Sequence, residues 1–239
     1  MTDRRIGIIT ALIPEARCLL KRKPVPGLIT PISGRISLYI CGMGPERARG
    51  AARKMVESGF NALISWGTAG ALAADIAPGS LIIPETVRAG TGDVYPTATK
   101  WRNSVINRLR DCPSNIYLGQ LADSMHVLTR DSEKYRVRQQ TDALAVDMES
   151  GAIAETARQN KVPLLVIRAV SDSSTMSIPD SVTRFTGPYG EVRMLRLLQS
   201  LVRRPGDIPA MVQLARGFSA AARTLAWIGR RSDSVLPPG

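Results

Sequence analysis

Histidine is almost missing from this chain of 239 residues, with His126 standing alone. A histidine-rich metal centre is excluded, and so is any Ser-His-Asp triad that does not use His126. Three cysteines, Cys18, Cys41 and Cys112, are scattered with no CxxC or Cys/His pairing. An odd, dispersed set speaks for a reducing compartment and buried thiols rather than a disulfide framework. No apolar run reaches the ~18 residues that a membrane-spanning helix needs. The opening "MTDRRIGIITALIPEA" carries too short an apolar run for a signal peptide, so a cytoplasmic protein is expected. Aromatic residues make up only 5% against 44% hydrophobic residues overall, so the core must be aliphatic and alanine-rich.

What is abundant is positive charge, a formal net +12. It is unevenly placed: beyond Val192 stand eight arginines (193, 196, 203, 204, 216, 223, 230 and 231) against two aspartates, half of the whole excess. The length suits one large α/β domain, or one domain with an appendage. Short apolar runs alternate with helical patterns. Ile6–Ile9, Ile36–Cys41, Ala62–Ser65, Ser80–Ile83, Ile116–Leu121, Leu144–Val146 and Leu164–Val170 read as strands, several of them buried on both faces. Pro14–Lys23, Glu46–Ser58, Lys100–Arg110, Asp131–Thr141 and Glu149–Asn160 read as helices between them. The expectation is an α/β fold, with a central mixed, largely parallel sheet flanked by helices over residues 1–190.

Residues 191–232 read differently, as a basic amphipathic helical extension. Val192–Val202 places Leu195, Leu198 and Val202 at helical spacing, and "RRPGD" then interrupts the chain. A second helix follows, with Asp207 as N-cap and Pro209 in its first turn. Met211, Leu214, Phe218, Leu225 and Ile228 fall near one face, and Arg216, Arg223 and Arg230 recur every seven residues beside it. Such helices either dock on the core with a solvated rim or rest on a membrane surface.

The stretch "AVDMESGA" puts Asp147 and Glu149 between an apolar run and a helix, where carboxylates are costly unless paired, solvated or in use. "CGMGPERA" is a strand, a Gly-x-Gly turn and a helix start, without the GK[ST] of a Walker loop or the full dinucleotide fingerprint. "ISWGTAGAL" brings Thr68 and the small residues Gly67, Ala69 and Gly70 to a strand end, which suits either a ligand or close packing. "IRAVSDSS" ends an apolar strand on Ser171 and Asp172. Taken alone, Asp172 reads as a turn or N-cap residue, and Glu15 as a first-turn helix charge. Arg168, inside that strand, demands a carboxylate partner. Together, Glu15, Thr68, Glu149 and Asp172 all lie at strand ends, where open α/β sheets bind ligands. Several acids in one cleft suit glycosidic cleavage: one carboxyl protonates the leaving group, another activates water and a third grips the sugar.

The motifs "IGIITALIPEA", "CGMGPERA", "WGTAGAL", "GSLIIPETV", "VDMESGAIA" and "VIRAVSDSS", in this order over roughly residues 5–175, resemble the nucleoside phosphorylase/nucleosidase superfamily. The site pattern is similar to that of the methylthioadenosine/S-adenosylhomocysteine nucleosidases. That resemblance implies Glu15 as the base that helps activate water. It implies Glu149 on the ribose 2′-hydroxyl, with Met148 packed on the sugar. Asp172, oriented by Ser171, matches the acid that protonates purine N7, and Thr68 and Arg168 match residues around the water. Gly70 falls in the ligand loop. His126 stands where the nucleosidases stack an aromatic ring, and Val127 where the backbone clamps the base. Phosphorylases of the family carry an arginine where this chain has Ser65, which favours water over phosphate.

The tail "LQSLVRRPGDIPAMVQLARGF" resembles the hopanoid-associated branch, which implies removal of adenine from adenosylhopane. The expected protein is thus a purine nucleosidase that needs no cofactor or metal. Its expected partners are a small nucleoside with a lipid moiety, the inner face of the cytoplasmic membrane and further copies of itself, with no nucleic acid. A phosphate-dependent phosphorylase is the alternative. A non-catalytic basic protein binding lipid or RNA is a remote one, since it has no need of three acids at strand ends.

Overall fold

The computed structural model describes residues 4–20, 22, 24–179, 186–191 and 205–237. A sheet of eleven strands forms its centre. They are β1 (Ile6–Thr10), β2 (Thr30–Ser33), β3 (Ile36–Ile40), β4 (Ala62–Ala71), β5 (Leu81–Ile82), β6 (Thr86–Arg88), β7 (Val94–Pro96), β8 (Ile116–Tyr117), β9 (Gln120–Asp123), β10 (Ala145–Asp147) and β11 (Leu164–Asp172). One path runs β2-β3-β1-β4-β10-β9-β6-β7, and β11, β5 and β8 branch from β4. The pairs β1–β3, β1–β4, β4–β11, β9–β10, β6–β9 and β5–β8 are parallel, and the rest antiparallel. The sheet is mixed and largely parallel, as expected.

β4 organises it. Its first half pairs with β1 from Ala62 to Ser65, and its last residues pair with β10 at Gly70 and Ala71. Between Ser65 and Gly70 that side of β4 changes neighbour, so the carboxyl ends of β1 and β10 face each other across a gap. On the other side β11 accompanies β4 throughout. All nine residues of β11 are buried, which is what a continuous apolar run predicts for a central strand.

The helices are α1 (Ile13–Ala16), α2 (Pro45–Glu57), α3 (Thr99–Arg108), α4 (Asp131–Thr141), α5 (Ser150–Gln159), α6 (Ile208–Gly229) and α7 (Ser232–Val235). α2 opens on Pro45, whose missing N–H costs nothing there, and buries Ala48, Ala51, Ala52 and Met55 along one stripe. α6 starts after Asp207, with a proline in its first turn. It buries Ala221, Leu225 and Ile228 in one cluster with Leu165 and Ile167 of β11. A Cβ on Gly217 would overlap the carbonyl oxygen of Ser171, so α6 lies directly against the end of β11.

Several expectations need correction. Ile116–Leu121 is two strands, because the chain breaks at Gly119 (φ 122°) and passes from β5 to β10 and β6. Of the expected helix Pro14–Lys23, the described residues 14–20 form the end of a single helical turn followed by tight turns, with Cys18 N–H donating to Glu15 O and Leu19 N–H to Ala16 O. Ala62–Ser65 extends to Ala71 because its loop of small residues stays in the sheet. β2, β6 and β7 were not anticipated. The half-buried β2 and the edge strand β7 contain Pro31 and Pro96, which weaken a strand signal. The expected helix Val192–Val202 lies outside the described residues.

Candidate active site

The gap beside β4 opens into a cavity of roughly 270 Å³. Its polar floor is built from strand ends. α1, entered directly from β1, carries Glu15 into the gap, 3% exposed. Both oxygens of Glu15 are held. Oε2 accepts from Thr10 Oγ1 (2.7 Å) and Leu12 N–H (3.0 Å). Oε1 accepts from the N–H and the hydroxyl of Thr68, each at 2.8 Å. Gly67 makes this approach possible, since a Cβ there would lie 2.7 Å from Glu15 Oε1.

Arg168 lies beneath the floor, 1% exposed, and does not line the cavity. Its Nε lies 2.7 Å from Asp147 Oδ2 as an ion-pair contact without hydrogen-bond alignment. One terminal nitrogen donates to Ser65 Oγ (2.7 Å) and Ser150 Oγ (3.1 Å) and lies 3.9 Å from Glu149 Oε2. Asp147 also caps the start of α5. Its Oδ1 accepts from Glu149 N–H (3.3 Å) and Ser150 N–H (3.1 Å), and its Oδ2 from the Ser150 hydroxyl (2.5 Å). The carboxylate that the buried guanidinium demands is therefore Asp147.

Glu149 is freer. Its Oε1 accepts from Gly44 N–H (2.9 Å), so the Gly-x-Gly turn of "CGMGPERA" holds a side chain of the site. Burial pushes the Glu149 carboxyl up to about 7, against the pull of Arg168 and with a further push from Asp147. Asp123, at the end of β9, is pushed up to about 8 by burial and by the neighbouring Asp147 and Glu149. Its Oδ1 is buried without a hydrogen-bond partner.

At the far wall, Asp172 Oδ1 accepts from the Ser171 hydroxyl (2.7 Å) and Oδ2 faces Lys134 Nζ (2.5 Å). A Cβ on Gly70 would sit 3.0 Å from that Oδ2, so the glycine keeps space open beside it. Met148, His126 and Val127 also line the cavity, and His126 and Val127 stand at its exposed rim. Leu12, Met43, Ile178, Leu214 and Phe218 add apolar lining.

The structure thus brings Glu15, Thr68, Gly70, His126, Val127, Met148, Glu149, Ser171 and Asp172 to one cavity, and places Arg168 just under it. Sequence reasoning missed Lys134, Asp123 and the apolar lining. "SEKYRVRQQ" gives no sign that its lysine points inward, since its neighbours are the charged residues of an ordinary solvated face. Leu214 and Phe218 were read as part of a helix face that docks on the core or rests on a membrane surface, not as lining of the site.

A parallel-rich α/β sheet with an acid-lined cavity at its strand ends defines a small-molecule enzyme site. The chain belongs to the phosphorylase superfamily, whose family model matches residues 27–187. A 5′-methylthioadenosine/S-adenosylhomocysteine nucleosidase of Buchnera aphidicola is 29% identical over 171 residues, 61% of this chain and 66% of that protein. One of Maridesulfovibrio salexigens is 29% identical over 199 residues, 70% of this chain and 85% of that protein. Among solved structures, the S-adenosylhomocysteine nucleosidase of Streptococcus pyogenes superposes with a TM-score of 0.73 at 20% identity, over 99% of each chain. The futalosine hydrolase of Helicobacter pylori gives 0.69 at 16% identity, over 96% of each chain. At such identities the superpositions speak for the fold.

Proposed function

We propose that this protein hydrolyses the N-glycosidic bond of an adenine nucleoside, and that its nucleoside is adenosylhopane, cleaved to ribosylhopane and adenine. The observation that carries the hydrolase reading is the convergence of Glu15, Glu149 and Asp172 on one cavity. The reading is supported by relatives named as nucleosidases.

The roles are those the resemblance implies, and the shared cavity supports them. Glu15, fixed by four donors, is placed to take a proton from water beside Thr68. Glu149, with acceptor capacity left, grips a ribose hydroxyl, and Met148 packs on the sugar. Asp172, oriented by Ser171, delivers a proton to the purine. The departing base is then neutral, and the carboxylates stabilise positive charge on the sugar. His126 and Val127 hold the base at the rim. Neither a metal nor a cofactor has a part in this scheme. Water is favoured over phosphate because none of the described residues lining the cavity is an arginine. Lys134, the cavity's one ammonium among them, is already engaged.

The lipid part rests on the resemblance of the tail and on the apolar lining that Leu214 and Phe218 of that tail add to the cavity. An enzyme for such a substrate works at the inner face of the cytoplasmic membrane, assembled with further copies of itself. Incubation with adenosylhopane and, in parallel, methylthioadenosine, with and without phosphate, tests the whole reading by mass spectrometry. The expected products are free adenine and ribosylhopane regardless of phosphate. A phosphoribosyl product formed only with phosphate replaces hydrolysis by phosphorolysis. Cleavage of methylthioadenosine alone removes the lipid assignment, and no adenine under any condition removes the activity.

A further inference from the structure

We propose that the acid of this site is a two-residue relay, in which Lys134 supplies the proton that Asp172 passes to the departing purine. The inference rests on the nucleosidase reading above and adds Lys134 to it as a positioning and proton-supplying residue.

Lys134 sits in α4 between Glu133 and Tyr135, yet its side chain is 1% exposed. An ammonium has three N–H donors and no acceptor. All three find partners: Asp172 Oδ2 at 2.5 Å, Ser173 O at 2.7 Å and Met176 O at 2.9 Å. A buried lysine is costly unless its charge is matched and its donors are used, and here both conditions hold. Two carbonyls and one carboxylate therefore hold Nζ against one oxygen of the acid.

The other oxygen of Asp172 accepts from the Ser171 hydroxyl at 2.7 Å. Both oxygens of Asp172 thus face a donor, and Lys134 Nζ, in contact with Oδ2, is the proton source that the geometry puts nearest to it. Both residues line the cavity, and Gly70 leaves space beside the shared Oδ2. The charge balance is complete. A proton moves from Nζ to the Asp172 carboxylate, and a proton from Asp172 goes to purine N7. The electrons of the C1′–N9 bond leave with the purine. Water bonds to C1′ as Glu15 takes its proton. Lys134 is left neutral and Glu15 protonated, and proton exchange with solvent on product release restores both.

A purely structural lysine would pin the turn after β11 and nothing else. The two roles separate in a double-mutant cycle on adenine release using Lys134→Gln, Asp172→Asn and the double variant. The expected result is a loss in kcat of about 100-fold or more for each single variant, the usual contribution of general acid catalysis. KM should stay within about threefold, and the double variant should be no slower than Asp172→Asn. The alkaline limb of the kcat–pH profile should move in Lys134→Gln. If Lys134→Gln alone folds poorly, Lys134→Arg takes its place in the cycle, since it keeps the buried charge paired with Asp172 but does not release a proton. Additive losses, or an unshifted pH limb with KM rising instead, would overturn the relay while leaving the nucleosidase reading standing. Wild-type protein that releases no adenine would overturn both.

Discussion

Asp147 and Glu149 stand two residues apart and take opposite parts. Asp147 is held by three hydrogen bonds at the start of α5 and by its ion pair with Arg168. Glu149 holds only the Gly44 N–H at close range. Asp147→Ala leaves a buried guanidinium with one carboxylate 3.9 Å away. It should destabilise the fold by about 3–5 kcal/mol, read by urea denaturation. Glu149→Gln should leave the urea midpoint near pH 4.5 almost unchanged, raise it above wild type at about pH 6 to 8, and lower turnover by at least about 100-fold. Its effect on pH dependence has a defined sign. The Glu149 carboxyl is raised from 4.5 to about 7, so the folded protein holds its proton more tightly than the unfolded chain does. That contribution is fully present below about pH 4.5 and is lost as pH rises through about 7. Wild-type stability should therefore fall from pH 5 to 8, by on the order of 3 kcal/mol at most from this group. Asp123, raised to about 8, adds to the same slope. Glu149→Gln should flatten it. A variant with the wild-type slope, or Asp147→Ala with normal stability, would reverse the assignment.

At the scale of elements, α6 shows where local preference and packing disagree. Alanine is favoured over glycine in a helix interior by up to about 1 kcal/mol. At Gly217, however, a Cβ would overlap Ser171 O. Gly217→Ala should therefore lower stability by about 1–3 kcal/mol. It should also slow turnover, because it pushes on the strand end that carries Asp172 and on the helix that carries Leu214 and Phe218. Calorimetry checks the sign, and a rise in Tm would refute the contact. The same contrast explains what could be read from the sequence. Central strands such as Leu164–Val170 declare themselves as apolar runs, and Glu15, Glu149 and Asp172 as acids where such runs end. β8 and β9 could not be separated, because the switch at Gly119 is set by which strand each half finds. Lys134 was hidden because only tertiary packing turns it inward. Asp123 was hidden because its neighbours Asp147 and Glu149 come from a different segment.

For the whole molecule, the question is what meets the outer face of α6. At 100° per residue, Ile208, Val212, Arg216, Arg223, Trp227 and Arg230 fall on one side, opposite Ala221, Leu225 and Ile228. Ile208 is 46% and Val212 44% exposed, and the three arginines are exposed as well. Arg231 stacks on Trp227 at 4.0 Å, beside Arg230. Among the described residues no helix is long and apolar enough to cross a membrane. The membrane association proposed above assigns the lipid contact to this face of exposed aliphatics, a tryptophan and arginines. Each arginine near an anionic surface contributes about 1 kcal/mol. The triple variant Arg216→Gln, Arg223→Gln, Arg230→Gln should therefore bind vesicles containing phosphatidylglycerol about 100-fold more weakly than wild type. Binding to neutral phosphatidylcholine vesicles should be weak for both proteins. Turnover of a water-soluble nucleoside should be unaffected, since none of the three arginines lines the active-site cavity. Turnover of a nucleoside carried in the vesicle should fall with the binding. Equal sedimentation of both proteins with anionic vesicles would assign these arginines to solvation alone.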